Sequence, residues 1–510
     1  MRAANRVILN TCILYGNMVF NACFALLSTR WILEALGQSD FGIYNLVGGV
    51  IAMFSFLNVA MVAATQRFLS YSIGQNHQEI IKETFKCSVI LHLVIGFIVL
   101  LIFELLGGYF MHHQLDIPSG RIDEAMVVLH CLSVTSFFTI ITVPYQAVLN
   151  AHENMIVIAL ISMLESALKI LIALTLLKYM GDRLILYAVL MMVLMVSGLI
   201  INRVYCWKHY PEVRIKWLSK IDINLFKQMF SFAGWNFIGS ISSLLRNQGL
   251  AMMMNTFFGV IINAAYGIAT QVNGQAQFFS RTIIRALQPQ VVKSEGAGNR
   301  ERMKRLALTT CKIPFLMLSV IIAPLIAEMP FILNIWLKTV PENTVNFCSM
   351  FLLITLLMQV KMGLSIAIDS VGKIKWYQIV CGGLHFIVLP LAYFCYKLGL
   401  NPTWGMYVVF IEEFITVILT SLFARKISDI KLTDYYFKVF IPSVIAIIGT
   451  YYLTSAVVSP INNNWLHLIS FTTIYAISIS IISYTMILSP EEQNVFKSFT
   501  TSLLKKLKIK

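Results

Sequence analysis

Five polar residues recur at helical spacing inside one apolar stretch of this 510-residue sequence. Tyr266, Thr270, Asn273, Gln277 and Arg281 are separated by four, three, four and four residues, which places them on one face of a helix. Polar groups are costly beside lipid, so such a face should meet water or other polar groups. We predict that it lines a wet cavity; hydrogen bonding between neighbouring helices is the alternative.

Two arginines within apolar runs are candidates for binding an anionic group. Arg246 precedes Asn247 and lies thirteen residues before Gly259, and no carboxylate lies within one turn of it along the chain. Arg30 lies near the end of the first apolar run. Guanidinium groups match phosphate oxygens through paired hydrogen bonds. We therefore predict that both arginines and Asn247 contact a pyrophosphate, although Arg30 could instead extend to the outer interface.

Two pairs of opposite charges also fall within apolar runs. Glu165 and Lys169 are four residues apart, with the glutamate first, so they can neutralise each other on one helix face. Lys361 and Asp369 are separated by about two turns. Each pair is predicted to serve either ion coupling or structure, and the sequence does not separate these two roles.

The composition indicates which elements carry these residues. Hydrophobic residues make up 58% of the chain and charged residues only 12%, whereas soluble domains carry roughly 25% charged residues. A helix needs about 20 apolar residues to cross a bilayer. The runs that meet this requirement lie near 7–36, 41–64, 87–110, 125–148, 155–177, 184–206, 228–258, 260–283, 313–337, 345–368, 377–397, 403–424, 439–459 and 465–488. They predict an all-α polytopic membrane protein with about fourteen transmembrane helices.

The basic residues predict the orientation of the chain. If the N-terminus is cytoplasmic, thirty of the 39 lysines and arginines lie inside, six lie outside and three lie within helices. Cytoplasmic loops carry such an excess of positive charge. We therefore predict a multi-pass protein of the bacterial inner membrane with both termini in the cytoplasm. The net charge of +15 is explained by topology and does not indicate a nucleic-acid partner.

The sequence also contains an internal repeat. A shift of 222 residues aligns Gly37 with Gly259 and gives ten identities over the 46 positions from 37 to 82. The repeat predicts two parallel six-helix lobes, with a substrate site between them, and two extra C-terminal helices. The predicted domains are an N-lobe at 1–206, a cytoplasmic basic linker at 207–227, a C-lobe at 228–426, and helices 13 and 14 with a cationic tail at 427–510.

Three segments carry a family resemblance. LGQSDFGIYNL (Leu36–Leu46), FGVIINAAYGIA (Phe258–Ala269) and PYQAVLNAHEN (Pro144–Asn154) resemble polysaccharide flippases of the multidrug/oligosaccharidyl-lipid/polysaccharide (MOP) exporter superfamily. The resemblance implies a central cavity lined by helices 1, 2, 7 and 8. It also implies alternating-access transport of an undecaprenyl-pyrophosphate-linked oligosaccharide for O-antigen, capsule or exopolysaccharide synthesis. The implied partners are this anionic saccharide lipid, membrane lipids and other polysaccharide-assembly proteins.

A cation-coupled multidrug exporter of the same superfamily is the main alternative. Exporters of cationic drugs in that branch generally use carboxylates embedded in the membrane. The first apolar run contains no acidic residue between Arg6 and Glu34. A cationic cavity repels cationic drugs and attracts phosphate, which favours the flippase hypothesis.

An enzyme is the third hypothesis and the least favoured one. The predicted outer loops are short, so they offer little room for a reaction centre with acid and base groups. The nine cysteines form no closely spaced metal-binding pairs, and no glycine-rich nucleotide loop is present. We therefore predict a protein that is not an enzyme and that has neither a metal nor a cofactor.

Overall fold

The structure, a computed structural model, describes residues 3–52, 55–113, 117–215, 221–337 and 339–494. These residues form α-helices and two short 3-10 turns, Ser119–Arg121 and Pro211–Val213, and no strand occurs among them. The helices are α1 Ala3–Ala52, α2 Ser55–Gln75, α3 Gln78–His113, α4 Ile122–Ala151, α5 Met155–Lys178, α6 Arg183–His209, α7 Ile223–Gly296, α8 Arg300–Ala327, α9 Met329–Leu337, α10 Thr344–Val371, α11 Lys375–Lys397, α12 Trp404–Ser428, α13 Leu432–Val458 and α14 Asn464–Ile487.

Twelve of these helices, all except α2 and α9, contain a segment long and apolar enough to cross a membrane. With 74 residues, α7 is far longer than one crossing requires. It includes both the seventh and the eighth predicted spans, 228–258 and 260–283. The predicted all-α polytopic fold is confirmed: the chain is a multi-pass membrane protein, and its described residues form fourteen helices, thirteen of them long.

The helices extend beyond the apolar runs that predicted them. Helix α3 begins at Gln78, nine residues before the predicted span, and α7 ends at Gly296, thirteen residues beyond the predicted end. Backbone hydrogen bonds continue a helix into water, whereas hydropathy detects only the part that matches the hydrocarbon core. The sequence therefore predicted the number of helices better than their ends.

Helices α1 and α7 are each kinked at one glycine. Gly37 has φ 75° and ψ 174°, and Gly259 has φ 81° and ψ −177°. This backbone region is accessible essentially only to glycine. The shift of 222 residues aligned these same two glycines, and their matching dihedral angles support the predicted internal repeat.

The chain packs as two compact units. One, here called the N-unit, is Asn10–Ser240, and the other, the C-unit, combines Met1–Leu9 with Ile241–Lys510. The boundary between the two units lies within α7, in the part of that helix before the kink at Gly259. The sequence had predicted the boundary between the lobes in the linker 207–227.

Within the N-unit, α4 is the central helix and packs against α2, α3 and α6. Two hydrophobic clusters surround it: one includes Val47, Leu129 and Leu184, and the other includes Leu69 and Phe85. A third cluster joins α1, α5 and α6. Helices α1, α5 and α6 therefore pack around a hydrophobic cluster of their own within the N-unit.

Within the C-unit, α10 occupies the centre between α8 and α12. The approach of α10 to α8 requires a glycine, because a Cβ on Gly363 would lie 1.9 Å from the carbonyl oxygen of Ala307. Small residues allow membrane helices to approach this closely. Helices α13 and α14 pack against each other and against α8. The predicted cationic tail after Asn494 lies outside the described residues.

Candidate functional site

A buried ion pair joins α7 to α12 in the C-unit. A guanidinium nitrogen of Arg246 donates to Glu412 Oε2 at 2.6 Å, and both side chains are only 6% exposed. The Thr416 hydroxyl donates to the other carboxylate oxygen at 2.9 Å. Glu412 could not be recognised as the partner of Arg246 from sequence spacing, because it lies 166 residues further along the chain.

His385 of α11 completes this group and was missed by the sequence analysis. Its Nδ1 lies 3.0 Å from Glu412 Oε1 and 3.2 Å from a guanidinium nitrogen of Arg246. When protonated, Nδ1 donates to the carboxylate; when unprotonated, it can accept from the arginine. A lone histidine in an apolar run carries no spacing signal that would have identified it.

A second buried ion pair joins α10 to α12. Lys361 pairs with Glu413, whose side chain is 1% exposed. Because adjacent residues of a helix point about 100° apart, Glu412 and Glu413 reach different neighbours. The predicted pair of Lys361 with Asp369 stays a prediction, and the two positions are eight residues apart in the same helix, a rise of about 12 Å. Lys361 is neutralised by a carboxylate from another helix.

The predicted polar face of α7 lies at the border between the buried and exposed sides of the helix. Tyr266 and Asn273 are 3% and 9% exposed, and Asn273 bonds to Thr355 of α10. Thr270 and Arg281 are exposed. The face is thus divided, and two of its members contribute to packing within the C-unit.

The remaining members of the predicted set are accessible or partly so. Arg281 donates to the half-buried Gln277 at 2.9 Å. Asn247 is exposed, and its side-chain oxygen lies 3.4 Å from Nε of Arg246. In the N-unit, Arg30 is exposed. Whether these residues contact a substrate stays a prediction.

A partly open cavity of about 190 Å³ lies between α1, α5 and α6 of the N-unit. Its surface is partly polar and contains one charged side chain, Lys169 of α5. The described residues that line it are Phe24, Ala25, Ser28, Thr29, Ile32, Ser166, Lys169, Tyr187 and Met191. None of these lining residues is acidic, although Glu165 interacts electrostatically with Lys169.

The predicted ion pair of Glu165 with Lys169 does not form a direct contact. No ion pair within 4.0 Å joins these two described side chains. Glu165 instead lies against α6, where its Oε1 is 2.6 Å from the position that a Cβ on Gly198 would occupy. The lysine is therefore left facing the cavity without a bound carboxylate.

A charged group also connects helix ends in the N-unit. Arg121 pairs with Asp40 at 2.7 Å, with Glu124 at 3.3 Å and with Asp182. Burial raises the pKa of Asp182, but the backbone N–H of Ile185 and the Arg121 guanidinium lower it more, so the net pKa lies below the usual value. The ion pairs of Arg121 connect the N-terminal ends of α4 and α6 to α1.

No group of three or more histidine, cysteine, aspartate or glutamate residues in the described part of the chain could hold a metal ion.

No protein-family model and no curated protein matches this sequence. Solved structures do match. A multidrug resistance MATE family transporter of the MOP superfamily, in an outward-facing conformation, has a TM-score of 0.72 and 16% identity and covers 85% of this chain and 98% of its own. A MATE protein in the bent conformation has a TM-score of 0.73 and 15% identity, covering 85% and 99% of the two chains.

A third similar structure is a MOP superfamily transporter from Pyrococcus furiosus, described as having a binding pocket of reversed polarity that suggests a different function. Its TM-score is 0.71 at 15% identity, and the match covers 84% of this chain and 95% of that one. These likenesses show that the chain has a MATE-like fold. Identities this low carry neither a substrate nor site residues from one protein to the other.

Proposed function

We propose that this protein is a membrane transporter that moves an anionic, lipid-linked saccharide of the undecaprenyl-pyrophosphate type across the bacterial inner membrane. Its two units would alternate access to the two sides of the membrane. The saccharide would be destined for O-antigen, capsule or exopolysaccharide synthesis. Both termini would be cytoplasmic, as the distribution of basic residues indicates, and other proteins of polysaccharide assembly would be its partners.

The charge state of the buried groups carries this proposal. The two carboxylates buried on α12, Glu412 and Glu413, are each already paired with a basic side chain. By contrast, Lys169 faces a cavity without an acidic residue among its described lining. Arg281 is exposed, with an amide oxygen as its hydrogen-bond acceptor. Lys169 and Arg281 are therefore positive charges available to a ligand, which favours phosphate over a cationic drug.

The second candidate is a cation-coupled multidrug exporter. This candidate is supported by the similarity in fold to a multidrug resistance MATE family transporter. The buried network of Arg246, His385 and Glu412 also contains a titratable histidine that could exchange partners during a transport cycle. On this hypothesis, release of Glu412 from Arg246 would make a carboxylate available to a cation.

Transport assays in liposomes distinguish these two substrates. We expect the purified protein to move a fluorescent lipid-linked oligosaccharide between the leaflets of the bilayer. We expect it not to transport cationic dyes. The matched control is Gly37→Pro, because proline cannot adopt the positive φ at that kink. Proton- or sodium-driven efflux of cationic dyes, without movement of the saccharide lipid, would replace the first candidate by the second.

A further inference from the structure

We infer that residues 495–510 bind the anionic phospholipid surface of the cytoplasmic leaflet, starting from an anchor that holds Glu492 against α8. The anchor belongs to the described part of the C-unit, whereas residues 495–510 lie outside the described residues. The inference uses the predicted cytoplasmic position of the C-terminus and does not depend on the substrate that the protein transports.

The anchor joins Glu492, which follows α14, to two side chains of α8. The Lys312 ammonium donates to Glu492 Oε2 at 2.9 Å and to the carbonyl oxygen of Ile487 at 3.2 Å. The Thr309 hydroxyl donates to Glu492 Oε1 at 2.6 Å. The Lys312 side chain is only 7% exposed. Leaving a buried charge unmatched is costly, so this pair keeps the chain that follows α14 on α8.

Glu492 also starts a new helical segment. The backbone N–H of Ser489 donates to Glu492 Oε2 at 2.8 Å, and the backbone N–H of Glu492 donates to the Ser489 hydroxyl at 3.4 Å. This reciprocal pattern is a capping box, with Pro490 at the first helical position, where no N–H is needed. Residues 490–494 are helical. Because the membrane-spanning part of α14 ends at Ile487, the new segment begins close to the membrane surface.

The sequence that continues this segment is amphipathic at the helical period. Four large apolar residues recur at spacings of three, four and four, and they are Phe496, Phe499, Leu503 and Leu507. Three lysines fall on the opposite face, and they are Lys497, Lys505 and Lys508. The stretch 495–510 contains five lysines and no acidic residue. Phenylalanine and leucine on one face with lysine on the other are typical of helices that lie in a membrane surface.

Charge identifies the partner as an anionic bilayer. The cytoplasmic leaflet carries a negative surface potential that attracts lysines close to it. The two carboxylates that precede the segment are already matched, since Glu491 pairs with Arg305 at 2.6 Å and Glu492 pairs with Lys312. Both are therefore engaged within the C-unit, and lipid phosphate is the abundant anion at the depth where α14 ends.

Amide hydrogen exchange of the full chain in lipid nanodiscs tests the inference. One nanodisc contains phosphatidylcholine alone, and the other contains an equimolar mixture of phosphatidylcholine and phosphatidylglycerol. We expect exchange over residues 495–510 to be at least about tenfold slower in the anionic nanodisc, and this difference to disappear at about 1 M salt. Equal exchange in the two nanodiscs would overturn the inference, because the segment would then not recognise an anionic surface.

Two double variants test the role of the lysines. Lys505→Gln with Lys508→Gln should remove most of the slowing, since each lysine near an anionic surface contributes about fivefold to binding. The matched control, Lys82→Gln with Lys304→Gln, removes the same charge from two lysines that each pair with a glutamate three residues earlier. The control should exchange like the wild type. If the first double variant also does so, the lysines do not hold the segment on the lipid and the inference fails.

The apolar face is tested without changing any charge. Leu503→Gln with Leu507→Gln keeps all five lysines but removes two side chains that would insert between the lipids. We expect exchange over 495–510 to return to the fast rate seen in phosphatidylcholine. Slow exchange in this variant would overturn insertion of the segment into the membrane surface.

The anchor has a separate readout in the described residues. Glu492→Ala removes the capping box and the pair with Lys312, so exchange over 490–494 should become at least about tenfold faster in both nanodiscs. Glu491→Ala removes only the exposed pair with Arg305 and should stay within about threefold of the wild type. Equal exchange in the two variants would overturn the role of Glu492 as the anchor.

Discussion

Adjacent glutamates on α12 connect three other helices of the C-unit. Glu412 binds Arg246 of α7 and His385 of α11, and Glu413 binds Lys361 of α10. Charges buried among helices are stable only when each is matched, because removal from water costs several kcal/mol per ion. The pairs therefore fix the relative positions of these helices. They also explain why Arg246, predicted as a phosphate ligand, has a packing role in this conformation.

Removing one partner of the buried pair should be strongly destabilising. Glu412→Ala leaves Arg246 buried without a carboxylate, and we expect it to lower the free energy of unfolding by about 3–5 kcal/mol. Unfolding of the purified protein in detergent, followed against denaturant, measures this change. The double variant Arg246→Met with Glu412→Leu should recover most of the loss, since no charge is then left unmatched.

An exposed ion pair supplies the control for this prediction. Arg305 pairs with Glu491 at 2.6 Å, with side chains 56% and 67% exposed, and Glu491→Ala should cost less than about 1 kcal/mol. Equal small effects of Glu412→Ala and Glu491→Ala would mean that the buried pair does not stabilise the C-unit.

Asp182 should make stability depend on pH in the acidic range. Its pKa is lowered in the folded protein by the Ile185 N–H and by Arg121, despite the opposing effect of burial. The stabilisation is therefore present above the unfolded pKa of about 3.9 and is lost as the pH falls through the lower folded value. We expect the difference in melting temperature between wild type and Asp182→Asn to be constant above about pH 5 and to shrink below about pH 4. A difference that does not change with pH would contradict this.

The sequence located charged residues but not their partners. Lys169 and Arg246 were identifiable because single charges in apolar runs are rare. Their surroundings were not predictable: Glu412 lies 166 residues beyond Arg246, and the cavity at Lys169 requires α1 and α6 to meet α5. Contacts between helices distant in sequence leave no periodic signal in the chain. The local pair of Glu165 with Lys169 was expected from spacing, and tertiary packing against Gly198 separated it.

At the scale of elements, the two kinked helices are the strongest link between sequence and fold. Gly37 and Gly259 take nearly the same dihedral angles, and both lie at the point where one predicted span ends and the next begins. The helix hydrogen-bond pattern is interrupted there, so each kink can redirect the chain without a loop. The repeat was predictable from aligned glycines, because composition alone would favour apolar identities.

Substituting the kink glycines should be costly, whereas a nearby helical glycine should tolerate change. Gly37→Ala and Gly259→Ala force a side chain into φ near +75° and +81°, which should cost about 1–3 kcal/mol each. Gly42→Ala in α1 has open space around its Cβ and no positive φ, so it should be neutral or stabilising by up to about 1 kcal/mol. Denaturant unfolding compares the three. A neutral Gly37→Ala would show that α1 can straighten without strain.

Across the whole molecule, the sequence predicted the class of fold and the structure confirmed it. Hydropathy and the repeat led to an all-α fold with about fourteen membrane helices. Solved MATE-like structures match the fold over 84–85% of the chain. The substrate is a separate question, because one fold can host unrelated functions. The proposal of an anionic saccharide lipid depends on local charge: paired carboxylates on α12 and an available ammonium at Lys169.

The most direct test of this account compares two substrates that differ only in charge. One is an oligosaccharide on a fluorescent polyprenyl pyrophosphate, and the other is the same saccharide joined to the same polyprenol without phosphate. Movement between leaflets of proteoliposomes is measured for both. We predict rapid protein-dependent movement of the pyrophosphate-linked saccharide and little movement of the neutral one. Equal movement of the two lipids, or movement of neither, would contradict the claim that this protein selects its substrate by phosphate charge.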